Sequence, residues 1–223
     1  MRALLAEADR VLRVHEVAET IAWRSLLLRC LAFVFVGGAL FGAVMGTFGG
    51  LGSDRSWQVF YSATKVPLLL IATVCVSLPS FFVLNTLLGL RSDFGQVLRA
   101  LLETQAVLAL ILASLSPYVA VWYASFTDYG TAVLFNAVLL GLASVAAQVA
   151  LRTHYRALIN RSRKHRILLQ VWIVTYAFVG IQMAWVLRPF VGSPGEPVQF
   201  FRSESWGNAY AVVARLIWRV LSP

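Results

Sequence analysis

Between Leu26 and Leu187 the chain runs repeatedly for about twenty residues with almost no charge, then places its charges in short interruptions. A stretch of that length is what an α-helix needs to cross a hydrocarbon layer of ~30 Å, where every backbone polar group must be satisfied within the segment. The pattern therefore predicts an all-α integral membrane bundle of about five transmembrane helices. Composition agrees: 59% of the 223 residues are hydrophobic and 13% charged, against about 25% charged in soluble domains. The mean hydropathy is +0.75.

The five apolar runs are expected near Leu28 to Gly49, Val66 to Leu90, Val97 to Ser116, Thr131 to Leu151 and Ile167 to Leu187. Pro117 and the Arg188-Pro189 pair are read as stops, and Pro79 as a kink in the second span. Ser92 or Asp93 is the expected cap of the third helix. Residues 1–25 mix both charge signs with Leu4, Leu5, Val11, Leu12 and Val17, an amphipathic helix; residues 207–221 form a second one. The organisation is thus one membrane domain over 1–223, divided into 1–25, the bundle 26–187, and an outer loop with its terminal helix, 188–223. Glu7, Asp9, Glu16 and Glu19 precede the first apolar run, unlike a cleaved signal peptide, so this segment is expected to be retained.

The net charge is +9. Without an aromatic-interleaved basic groove it points to membrane orientation and not to nucleic acid. With five spans and a cytoplasmic N-terminus, thirteen Lys and Arg face the cytoplasm and six face outward. The opposite topology inverts that ratio, so the N-terminus is placed inside and the C-terminus outside a bacterial inner membrane. Cys30 and Cys75 lie in apolar runs and read as small buried hydrophobes.

Four features carry functional expectations. Gly38, Gly42, Gly46 and Gly50 recur at steps of four on the first span, a spacing that lets another helix approach closely, either within the bundle or from a partner. Arg99 and Glu103, one turn apart, can pair, either as a structural pair snorkelling to the cytoplasmic interface or, with Gln182, as the intramembrane polar groups of a competing channel or transporter function. Ala137, Gly141, Ser144 and Gln148 form a small, polar stripe suited to a helix–helix seam. Arg152, Arg156, Arg161, Arg163, Lys164 and Arg166 form a basic loop suited to anionic lipid headgroups. His154 and His165 share that loop with no acidic or thiol residue close in sequence, so no metal site is expected. No catalytic or cofactor motif is present in the sequence, and neither enzymatic activity nor a cofactor is expected.

The string from Trp172 through Tyr176, Gly180, Gln182 and Trp185 to Arg188-Pro189-Phe190, with the Gly192 to Pro197 loop and Phe201-Arg202, resembles a bacterial family of polytopic membrane proteins with no assigned activity. Pro67 to Leu90 extends that likeness. It implies a shared architecture and a shared outer loop, and brings no catalytic residue with it. Five spans with an inside N-terminus are also similar, in topology alone, to Yip1-type membrane proteins, non-enzymatic partners in membrane organisation. Arg188, Pro189, Phe190, Phe201 and Arg202 then form an aromatic–arginine surface that either docks another protein or caps and seals the bundle. The function expected is that of a scaffold, assembly or accessory subunit, contacting lipid and either other membrane proteins or its own copies.

Overall fold

The computed structural model describes residues 22–50, 52, 55–193, 195–201 and 210. Apart from residues 22–25 and Tyr210, both terminal amphipathic helices expected from sequence lie outside these residues, as does Arg202. Helices account for nearly all of the described chain: α1 (Trp23–Gly46), α2 (Ser56–Leu87), a 3₁₀ turn Arg91–Asp93, α3 (Phe94–Ser125), α4 (Tyr129–His154), α5 (Arg156–Arg161) and α6 (Lys164–Leu187). Five of them, all but α5, are long and apolar enough to span a membrane.

Two helices outrun expectation. The second begins at Ser56, not Val66, and the third continues past Pro117 to Ser125. Proline removes one backbone donor, but a membrane helix has no water to take over its carbonyls, so continuing the ladder costs less than ending it. At 32 residues each, these helices are about 48 Å long, so part of each stands beyond the hydrocarbon or is tilted within it.

The bundle is a curved row. α1 packs along both α2 and α3, α3 continues to α4, and α2 continues to α6. α4 and α6 are the ends of the row and share no comparable seam. Contacts between turns identify two ends of the bundle. At one, Trp23 lies 4.6 Å under the Arg99 guanidinium and Arg161 reaches Asp93 at 3.5 Å. At the other, Phe48 meets Tyr123 and Tyr129 with ring centres 5.0 and 6.0 Å apart, and Arg55 donates to the Ser193 carbonyl at 2.7 Å. Consecutive spans therefore run in alternating directions. The first end holds ten of the described lysines and arginines and the second three, Arg55, Lys65 and Arg188; they are called here the basic and the sparse end.

Candidate functional site

The glycines explain how close α1 sits. A methyl group on Gly38 would stand 3.1 Å from the Pro67 ring, and one on Gly46 would stand 2.6 Å from Val59 Cα; one on Gly42 would overlap the Ser62 carbonyl. These three are buried against α2 of the same chain and leave no face for a partner. Gly50 does not belong with them: it lies beyond the helix at φ +100° with nothing within 4 Å. Gly37, outside the four-step ladder, seats α1 on α3: a methyl group there would stand 2.5 Å from the Ala109 carbonyl oxygen.

At the sparse end, one face of α2 presents Arg55, Gln58, Ser62 and Lys65, spaced three, four and three residues apart. Together they hold the carbonyls of the segment after α6. Lys65 Nζ donates to Pro189 O at 2.7 Å, Gln58 Nε2 to Phe190 O at 3.3 Å, and Ser62 Oγ to Phe190 O as well. The Arg188–Pro189 peptide is cis. Lys65 is fully buried, with its ammonium 4.9 Å from the centre of the Phe200 ring. It lies inside α2, ten residues from Arg55, and not in the connection between the first two spans. Its ammonium supplies a strong donor to a segment whose carbonyls have no helix or sheet to satisfy them.

That latch holds the backbone at Pro189, Phe190 and Ser193 beside an exposed surface. Arg188 stacks on Trp185, its guanidinium carbon 3.4 Å from the ring centre, and Phe190 packs into the main core. Phe201, 44% exposed, touches Phe200 edge-on, and Phe200 in turn meets Tyr61. Tyr61 joins Trp57 and Phe60, both exposed, so a continuous aromatic patch runs from α2 to Phe201. Beside it lies a cavity of about 320 Å³ lined by Arg55, Gln58, Ser193, Glu196 and Gln199 among others.

At the basic end the expected pairings rearrange. Glu103 meets His154 at 3.6 Å, while the Arg99 guanidinium lies over the Trp23 ring. Asp93 stands at the N-cap position of α3 but makes no capping bond; its carboxylate lies 3.1 Å from Nε2 of the fully buried His165 and 3.5 Å from Arg161. The side-chain cap is found instead on α4, where Asp128 accepts from Thr131 N at 2.7 Å. Lys164 donates to Leu88 O at 2.9 Å. The histidines thus do have acidic partners, which distance in sequence concealed, although no group of three metal-binding side chains forms among the described residues. All six basic residues of the Arg152 to Arg166 stretch are exposed, with Arg161 and Lys164 also tying it to the 88–93 turn. Burial and the Asp93 carboxylate push the Tyr155 phenol well above its ordinary range.

Arg99, Glu103 and Gln182 do not converge. Glu103 is nine residues, about 14 Å, from the basic-end start of α3, whereas Gln182 is eighteen residues, about 27 Å, along α6 from the same end.

Between α4 and α6 a groove opens sideways. Two adjoining cavities, of about 570 and 620 Å³, share Leu69, Ala137, Leu140, Ile181 and Ala184. Among the described residues no partner helix closes over the Ala137–Gly141–Ser144–Gln148 stripe that lines it, and both polar atoms of the Gln148 amide are buried there unbonded.

The chain is therefore a multi-pass, all-α membrane protein. Comparison with protein-family models, curated proteins and solved structures returns no match.

Proposed function

We propose that this protein is a non-enzymatic scaffold or accessory subunit of a bacterial inner-membrane complex, presenting its sparse end to another membrane protein. The observation that carries the proposal is the latch. Three side chains of α2, one of them a fully buried lysine, and Arg55 at its N-cap bond to a segment that leads to an exposed aromatic patch. Burying an ammonium is costly in hydrocarbon, and marks a position with a specific task. A rigid surface of aromatic side chains beside arginine loses little entropy on docking and resembles the residue make-up of interface hot spots. The excess of Lys and Arg at the basic end supports a cytoplasmic N-terminus, with the aromatic patch outside.

The test places a photo-crosslinking side chain at Phe201 or, as a bilayer-facing control, at Val36, in the full chain within its native membrane. The expected result is a discrete polypeptide adduct from Phe201 that is absent from Val36 and lost on Lys65→Met. Adducts to lipid alone, or a protein adduct indifferent to Lys65→Met, would refute the proposal.

A further inference from the structure

The groove between α4 and α6 has an ordered chemistry along its length, and that order identifies an occupant. At the basic-end mouth stands Arg152, exposed and charged. One turn deeper, about 6 Å along the helix, the Gln148 amide is buried with neither its nitrogen nor its oxygen bonded. Ser144 follows one further turn in. Beyond it the residues common to both cavities are apolar: Leu140 and Ala137 on α4, Ile181 and Ala184 on α6, with Leu69 of α2 as the floor. From Gln148 to Ala137 is eleven residues, about 16 Å, close to half of a ~30 Å hydrocarbon layer.

Charge, then hydrogen-bonding groups, then an apolar wall that ends about one leaflet depth from Gln148 is the arrangement of a phospholipid. A transmembrane helix fits less well, because its backbone is internally bonded and offers the Gln148 amide nothing. An amide left dry and unbonded costs free energy that an ester carbonyl or a glycerol oxygen at that depth recovers. We propose that the basic-end half of this groove is a site for one anionic phospholipid. Its phosphate pairs with Arg152, its glycerol-ester oxygens meet Gln148 and Ser144, and one acyl chain lies between α4 and α6. Nothing in this assignment depends on the aromatic patch or on a protein partner.

Full-length protein in detergent is titrated with phosphatidylglycerol, phosphatidylcholine or oleate, and one-to-one complexes are counted by native mass spectrometry. Phosphatidylglycerol is expected to bind about tenfold tighter than phosphatidylcholine, a preference that Arg152→Gln brings to near unity. Gln148→Leu weakens both phospholipids, and Arg156→Gln, outside the groove, changes neither. Equal binding of the two phospholipids by the wild type would overturn the site. So would an equal loss of preference in Arg156→Gln, which means diffuse attraction to the basic end. Oleate binding as tightly as phosphatidylglycerol means a fatty-acid groove instead. A polypeptide crosslink from a photoreactive group at Val145, on the groove wall, means a helix occupies it.

Discussion

Replacing Gly42 by alanine tests the central seam of the bundle. The added methyl would overlap the Ser62 carbonyl, with the Ser62 carbonyl carbon at 2.7 Å and Ala63 Cα at 3.0 Å. Non-bonded carbons prefer about 3.5–4.0 Å, and these atoms belong to the backbone of α2, which cannot swing aside. α1 and α2 must therefore part by about 1 Å along the turns around Gly42, which forfeits a quarter to a half of the dispersion energy there. Overpacking of this kind costs about 1–3 kcal/mol, and alanine returns about 1 kcal/mol of helix propensity. The net expectation is a loss of up to roughly 2 kcal/mol. Gly141 provides the opposite case: it is mid-helix with nothing within 4 Å, so Gly141→Ala keeps the propensity gain and is expected to stabilise by up to about 1 kcal/mol. Reversible unfolding in mixed micelles, followed by circular dichroism, measures both. If the two alanines shift stability in the same direction, the close approach of α1 to α2 is wrong.

Three further perturbations bear on the two ends. Lys65→Met preserves length but removes the donor to Pro189, and is expected to cost about 2 kcal/mol and to speed proteolysis within residues 195–199; unchanged protease resistance would remove the latch from consideration. Asp93→Ala should destabilise more than Arg161→Ala, because Asp93 faces the fully buried His165 while Arg161 is 58% exposed, and exposed pairs are worth about 0–1 kcal/mol; equal losses in thermal denaturation would contradict this. Tyr155→Phe removes a buried hydroxyl that has no partner and should not lower stability at neutral pH. Because folding raises this phenol's pKa, the unfolded chain ionises first as pH climbs. Wild-type stability is therefore lost from about pH 10 upward, and the phenylalanine variant should lose less over that interval.

How much of this was readable from the chain alone depended on whether the cause was local. The spans were readable because hydrocarbon imposes one rule on every residue of a run, and five helices stand where five apolar runs do. The overlong second helix was missed because Trp57 to Lys65 is mixed in polarity, and its helical order comes from the segment it binds, over 120 residues away in the chain. The same distance hid Lys65, although its spacing with Arg55, Gln58 and Ser62 put all four on one helical face and was visible in the sequence. Asp93 looked like a cap because a capping carboxylate needs only neighbours in sequence; His165, 72 residues on, took it instead.

The two glycine-type stripes make the limit clearer still. Gly38, Gly42 and Gly46 on α1, and Ala137, Gly141 and Ser144 on α4, follow the same small-residue spacing, yet the first is closed by a helix and the second is open. Spacing says that something can come near; only the order of helices in the row says whether anything does. α1 sits in the middle of the row with neighbours on both sides, and α4 sits at its end. An end helix keeps its polar face unmatched unless lipid or another chain completes it, so the buried Gln148 amide is where the bundle stops being self-sufficient. Gln148→Leu consequently separates the two uses of such a stripe. If the amide serves only the folded bundle, the variant gains stability in pure detergent and keeps its lipid affinity. If it serves a ligand, stability rises in detergent while phospholipid binding falls, and that divergence cannot come from packing alone.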